Sequence, residues 1–131
     1  MSFYKYDVRT SKRIEMKNID SYVFDAIKKS GISDGLCCVY TPHTTAGITI
    51  NENADPAVAS DILSFTSKMV PAHASFNHSE GNSDSHIKSS LVGASETIIV
   101  EGGSALLGTW QSVFFCEFDG PRSRKVYIRV Q

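Results

Sequence analysis

Hydrophobic and polar positions alternate from the start of the chain. In FYKYDVRT, residues 3–10, Tyr4, Tyr6 and Val8 stand against Lys5, Asp7 and Arg9, the period of a half-buried strand. The period then lengthens: Ile19, Val23 and Ile27, with Tyr22 and Ala26 alongside, recur at helical spacing as far as Ser30, and Gly31 supplies a left-handed stop. GLCCVYT (35–41) and GITINEN (47–53) are β-rich runs around the polar corner PHTTA, and they predict two strands or one bent strand. Asp55 followed by Pro56 is a helix N-cap and first-turn pair. Val58, Ile62, Phe65 and Met69 then predict a buried stripe that runs until Pro71.

Periodicity stops between Ala72 and Ser83. A short third helix is predicted through HIKSSLVG, residues 86–93, closed by Gly93, with Ser83 and Asp84 suited to its cap and first turn. The remainder predicts sheet: ETIIVEGG, LLGTWQSVFFCEFD and RKVYIRV, the last with Val126, Ile128 and Val130 on one face and Lys125, Tyr127 and Arg129 on the other. Gly102–Gly103 and Asp119-Gly120-Pro121 supply the turns. Helices that do not alternate regularly with strands point to an α+β fold rather than a doubly wound one. One domain over residues 1–131 is expected, since a chain of this length builds a single core.

Composition narrows the function classes. A formal net charge of −1 gives no broad attraction to nucleic acid or membrane. Nucleic acid ranks last among partners because the sole basic cluster along the sequence, Arg122 to Lys125, is short and offset by Glu117 and Asp119. No stretch approaches the roughly 18 consecutive apolar residues of a membrane span, and MSFYKYDVRT lacks the apolar run of a signal peptide, so a cytosolic protein is expected. The three cysteines, Cys37, Cys38 and Cys116, show no CxxC spacing and read as buried small hydrophobes.

Three polar runs carry the candidate chemistry. HSEGNSDSH, residues 78–86, places His78 and His86 at the ends of a loop rich in acid and amide. Neutral imidazole is the commonest ligand for zinc-like metals, and Glu80, Asn82 and Asp84 are available to orient the rings. Solvated loop histidines are the competing reading, and His73 in PAHAS stays unassigned. Asp84 is divided between a site role and an acid in the first helical turn. TPHTTAGITINENADP, residues 41–56, gathers His43, Thr44, Thr45, Asn51 and Glu52. Polar groups on core strands cost free energy unless bonded, so substrate contacts from Thr44 and Asn51 and a general base at Glu52 are the functional reading. GTWQSVFFCEFDGPRSRK carries Trp110, Gln111, Glu117, Arg122 and Arg124, whose guanidinium forks suit phosphate or carboxylate. A P-loop, a GxGxxG fingerprint and a GxSxG elbow are absent from the sequence, which removes support for nucleotidase, dinucleotide and acyl-serine readings.

The three blocks HTTAGITINENADP, HSEGNSDSHIKSSLVG and GTWQSVFFCEFDGPRSRK, in this order and spacing, resemble the YjbQ-like family, whose members are described as secondary thiamine-phosphate synthases. The resemblance runs from the first strand to the last. It implies a compact α+β fold on an antiparallel sheet or sandwich, a homotrimer, and a divalent metal ion, of zinc or magnesium/manganese type, in a site lined by histidines. The family's histidines fall on His43, His78 and His86, its acids on Glu52, Asp55, Asp84 and Glu117, and its Trp-Gln pair on Trp110 and Gln111. The Asp-Gly-Pro-Arg turn makes Arg122 and Arg124 anion-binding candidates. The implied catalytic groups are Glu52, Glu117 and Asp84, and the implied reaction couples a hydroxymethylpyrimidine diphosphate to thiazole phosphate, releasing pyrophosphate. Two alternatives stand beside it: a metal-dependent hydrolase, with Glu52 or Glu117 as base, and a non-catalytic trimeric binding module. In each enzyme reading the partner is a small phosphorylated substrate.

Overall fold

The computed structural model describes residues 3–131. Two antiparallel sheets form the body. The larger has strand order β1 (Tyr4–Arg9), β8 (Ser123–Val130), β3 (Gly35–Tyr40), β5 (Ser95–Glu101) and β6 (Ser104–Ala105), and the smaller has β2 (Glu15–Asn18), β7 (Gln111–Glu117) and β4 (Ala46–Glu52). Helix α1 (Asp20–Ser30) joins β2 to β3, while α2 (Pro56–Met69) and α3 (Ser83–Val92) follow β4. The α+β class and the antiparallel sheets expected from the pattern are therefore present.

The larger sheet and α1 face the smaller sheet across the main core. Val8, Val39, Ile98, Val126 and Ile128 come from the first sheet, Val23, Ala26 and Ile27 from α1, and Ile48, Val113 and Phe115 from the second. Period-2 strands and a period-3.6 helix each turn one apolar face inward, as the sequence demands. The helix stops where Gly31 takes φ 68°, a left-handed backbone with no Cβ penalty. Phe114, Cys116 and Phe118 point to the opposite side of the smaller sheet, where they pack with Ile14, Met16 and Val92. A strand buried on both faces explains why VFFCEF reads as a continuous apolar run rather than an alternation.

Several expectations are corrected. Of the two alternatives for the runs around PHTTA, two strands holds, and they lie in different sheets. Residues 106–110 form a loop and turn, and β7 begins only at Gln111. The short strands β2 and β6 carry too few residues to show a period. Helix α3 begins at Ser83, a turn earlier than HIKSSLVG suggests, with Asp84 in its first turn. Helix α2 has the expected cap, Asp55 Oδ1 accepting from Ala57 N at 2.9 Å, but its stripe is not buried: Phe65 is 64% and Met69 58% exposed. Ile62, Leu63 and Thr66 of α2 instead roof a cavity of about 220 Å³ over Thr49, Asn51 and Cys116.

Candidate functional site

One end of the two-sheet body collects most of the polar chemistry. The end of β7, the turn that follows it, the start of β8, the corner before β4 and the start of α3 all meet there. Glu117 is fully buried. Its Oε1 accepts from Arg124 Nε at 2.9 Å and from Thr10 Oγ1 at 2.7 Å, and its Oε2 accepts from Arg124 Nη2 and from Asp119 N. Arg124 is also buried and completes its fork on Thr45 Oγ1 at 2.8 Å. Burial pushes the Glu117 carboxyl up, but the bonds from Arg124, Thr10 and the Asp119 amide overcome it and hold the group below the usual carboxylate range. With all these donors in place, both oxygens are engaged while the pair stands. Arg124 likewise spends its Nε and Nη2 inside the protein.

Asp84 forms a second buried knot. Arg13 donates to it from both Nη atoms, at 3.2 and 3.1 Å, and Lys88 Nζ reaches it at 3.3 Å from one helical turn away. Burial raises this carboxyl too, and the bonds from Arg13 and Lys88 reverse the shift and leave it lowered. Asp84 is thus an ion-paired anchor of the α3 start rather than a free acid. Ser85 Oγ, beside it, donates to Phe118 O, which ties the helix to the strand end.

These groups make stability depend on acidity in a defined direction. A carboxyl whose folded pKa is depressed contributes stability that is present above its unfolded value and lost as pH falls through the folded value. Glu117, Asp84 and Asp119 are all lowered, Asp119 by bonds from Asn82 and Arg122 that outweigh burial. The unfolding free energy measured in urea is expected to hold from neutral pH to about 5 on their account, then to fall progressively below about 4. Asp84→Asn, less stable at neutral pH, is expected to show a shallower acid limb; an unchanged limb would refute the assignment.

The histidines divide. His78 and His86, eight positions apart, meet with ring centroids 5.5 Å apart and planes at 84°. His78 Nδ1 lies 3.0 Å from Ser83 Oγ, which sets the ring, and its Nε2 lies 3.8 Å from Glu80. Neither ring nitrogen of His86 has a hydrogen-bond partner among the described residues. Between them Asn82 donates to Asp119 Oδ2 at 2.9 Å, while its Oδ1 is buried without a partner. Arg122 folds over the same Asp119, from Nε to the backbone oxygen at 2.7 Å and from Nη2 to Oδ2 at 3.0 Å, yet stays 53% exposed. His43 is placed differently: its Nε2 accepts from Lys125 N at 2.9 Å, so the remaining ring proton sits on Nδ1. Burial and then the charge of Arg124 push its pKa down. Thr44 contributes its backbone oxygen to Ser89 Oγ at 2.6 Å.

Donor chemistry fits an imidazole-preferring ion in part. One chain brings two imidazoles together, against the four ligands of a usual zinc site, and among the described residues no group of three His, Cys, Asp or Glu converges. The open Nε2 of His78, the His86 ring and the orphaned Asn82 Oδ1 are the atoms with coordination to offer.

Asn51, Glu52, Trp110 and Gln111 are not part of this end. Ala46 pairs with Glu117 and Glu52 with Gln111 across β4 and β7, so the two groups stand at opposite ends of the strands, about 20 Å apart. There Gln111 Oε1 accepts from Gly108 N at 2.8 Å, Asn51 Oδ1 accepts from Glu52 N, and Trp110 is 63% exposed. Arg13, Thr10 and Lys88 escaped the sequence reading, and Asp119 entered it as a turn residue and an offsetting charge rather than as a site residue. Arg13 meets its partner 71 positions away, which no local pattern reveals.

Fold and site together define a two-sheet antiparallel α+β protein whose sheet end is cross-linked by two buried ion-pair knots beside a histidine pair. The profile described as "UPF0047 protein YjbQ-like" matches residues 4–131, and the chain belongs to that family. It is 56% identical to the UPF0047 protein MJ1081 of Methanocaldococcus jannaschii over 127 residues, covering 97% of this chain and 92% of that protein. To the UPF0047 protein YugU of Bacillus subtilis it is 51% identical, with 94% of each chain covered. Among solved structures, a YjbQ/UPF0047-family protein from Clostridium acetobutylicum superposes with TM-score 0.96 at 50% identity, covering 98% of this chain and 99% of that one. The hypothetical protein APE1520 of Aeropyrum pernix does so with TM-score 0.94 at 33% identity, covering 100% and 98%.

Proposed function

We propose that the histidine end is a catalytic site in which His78 and His86 hold a divalent cation while neighbouring cationic groups hold a small phosphorylated substrate. The reaction we assign is thiamine-phosphate synthesis, as a main or secondary activity, from hydroxymethylpyrimidine diphosphate and thiazole phosphate. The meeting of His78 and His86, with neither ring nitrogen of His86 hydrogen-bonded among the described residues, carries this reading. The substrates themselves come from the family resemblance, since fold alone does not specify chemistry.

The chain's own residues have distinct tasks in it. Ser83 fixes the His78 ring through Nδ1, which leaves Nε2 as its ligating nitrogen, 3.8 Å from Glu80. Arg122, exposed and steadied by Asp119, offers its remaining donors to a phosphate. A surface cavity of about 300 Å³, lined by Arg9 together with the paired Lys125 and Asp7 and the Glu117-bound Arg124, leaves Arg9 as its unpaired positive charge among the described residues. A bound divalent ion would neutralise the charge of departing pyrophosphate. The reading includes a cytosolic homotrimer, supported by the exposed apolar residues Phe65, Met69 and Leu91, which a neighbouring copy would cover.

Purified protein given both substrates is expected to form thiamine phosphate and pyrophosphate, and to stop when a chelator is added. No product above a His78→Ala, His86→Ala control would sink the assignment. Profiling on phosphate esters and amides separates the hydrolase reading. The saturated state of Glu117 and Asp84 favours a second, non-catalytic reading, a trimeric binding module, and predicts that the control variant would lose trimer and metal together.

A further inference from the structure

The outer face of the larger sheet is unlike the rest of the surface. Antiparallel pairing of β1 with β8 sets Lys5 across from Tyr127 and Asp7 across from Lys125, and pairing of β3 with β8 sets Cys38 across from Arg129 and Tyr40 across from Tyr127. Side chains opposite one another share a face, so the two ends of the chain and its middle build one surface. Three rings run across it: Phe3 and Tyr127 have centroids 5.2 Å apart, and Tyr127 and Tyr40 6.3 Å apart. With Cys38 and Arg129 they line an open, almost wholly apolar depression of about 270 Å³. Lys5 Nζ lies 5.6 Å from the Phe3 centroid.

Charge borders the rings. Lys125 pairs with Asp7, whereas Lys5, Arg9 and Arg129 have no acidic partner among the described residues. Unpaired cations around exposed aromatic rings on a sheet suit a chain that offers planar π-faces and regularly spaced negative charge together. An isologous contact with the same face of a second copy would instead bring these cations against one another.

We propose that this face binds single-stranded nucleic acid, the partner that charge along the sequence ranked last, because the β1–β8–β3 register gathers these rings and cations on one face. Bases stack on Phe3, Tyr127 and Tyr40, and the phosphates run along Lys5, Arg129 and Arg9. Duplex is excluded because its bases present no free face to a sheet. The proposal uses neither His78 nor His86, and Arg9 is the one residue it shares with the cavity of about 300 Å³ beside His43.

The test is fluorescence anisotropy of a labelled oligothymidylate, with a labelled duplex of the same length alongside. Single strand is expected to bind with an affinity that falls as salt rises, and the duplex far more weakly. Tyr127→Ala and Tyr40→Ala are each expected to weaken binding about 5- to 100-fold. Lys5→Glu and Arg129→Glu are expected to weaken it and flatten the salt dependence; both lie at the surface, so they test the proposal even where a tyrosine variant fails to fold. No binding up to about 10⁻⁴ M protein would overturn the proposal. So would equal binding of duplex, or binding indifferent to all four variants. Sedimentation velocity supplies a last outcome against it: variants that dissociate an oligomer without altering single-strand binding would show that another copy covers the face.

Discussion

Glu117→Ala is expected to lower the unfolding free energy by about 3–5 kcal/mol, because it leaves the Arg124 guanidinium buried and uncompensated. For a chain of this size that corresponds to a melting temperature lower by roughly 10–25 °C. The cost exceeds that of an ordinary surface pair for a geometric reason. Glu117 and Arg124 are both inaccessible to water, and the same carboxylate also holds Thr10 and the Asp119 amide. The turn after β7 therefore loses its anchor with the charge. Gly120 makes that turn intolerant of adjustment, since a Cβ there would lie 2.3 Å from Lys12 O. Pairing Glu117→Leu with Arg124→Met is expected to recover most of the loss, since no charge is then stranded. Urea denaturation of the single and double variants measures both quantities. A single variant within 1 kcal/mol of the parent, a figure of about the size of a solvated surface pair, would show the knot to be solvated.

The second large effect concerns the histidine pair. His78→Ala with His86→Ala is expected to reduce bound divalent metal, measured by elemental analysis after gel filtration, from near-stoichiometric to background. The fold should survive, because His78 is exposed and His86 only half-buried, and neither belongs to the core. Ser83→Ala is expected to act through the ligand it positions, lowering affinity by about 10- to 100-fold without removing a donor atom. His43→Ala is expected to leave metal content unchanged while loosening the corner before β4, since its Nε2 already accepts from Lys125 N. Equal metal in the parent and the double variant would remove the cation from the proposed site, whatever the activity assay shows.

Much of the fold was legible from period alone. The β1 alternation, the α1 stripe with its Gly31 stop, the Asp55–Pro56 start of α2 and the alternation of β8 all follow from which side chains share a face. The α2 stripe shows where the inference stops. Apolar spacing identified a helix correctly, but the burial of Phe65 and Met69 depends on what lies against it, and one chain supplies nothing there. Residues 106–110 show the converse: Leu106 N still donates to Ile99 O and Trp110 O accepts from Asn53 N, but the turn between them, with Gly108 N on Gln111 Oε1, breaks the β-prone run.

The sequence by itself determined the element types, the inward and outward faces, and the three polar blocks that carry the family resemblance. Those are local properties, set by the spacing of side chains along a backbone with only two periods. Tertiary structure decided what each polar residue does. Glu117, a catalytic acid in the linear reading, and Asp84, divided there between a site role and the helix start, became ion-paired carboxylates: Arg124 folds back across the turn seven residues on, and Arg13 arrives from 71 positions away. Glu52, Asn51, Trp110 and Gln111 moved away from the histidines because β4 spans the molecule between them. Lys5 and Arg129, at opposite ends of the chain, came onto one face through the β1–β8 register. Charge and coordination act through space over a few ångströms, so their partners are set by the fold and not by position along the chain.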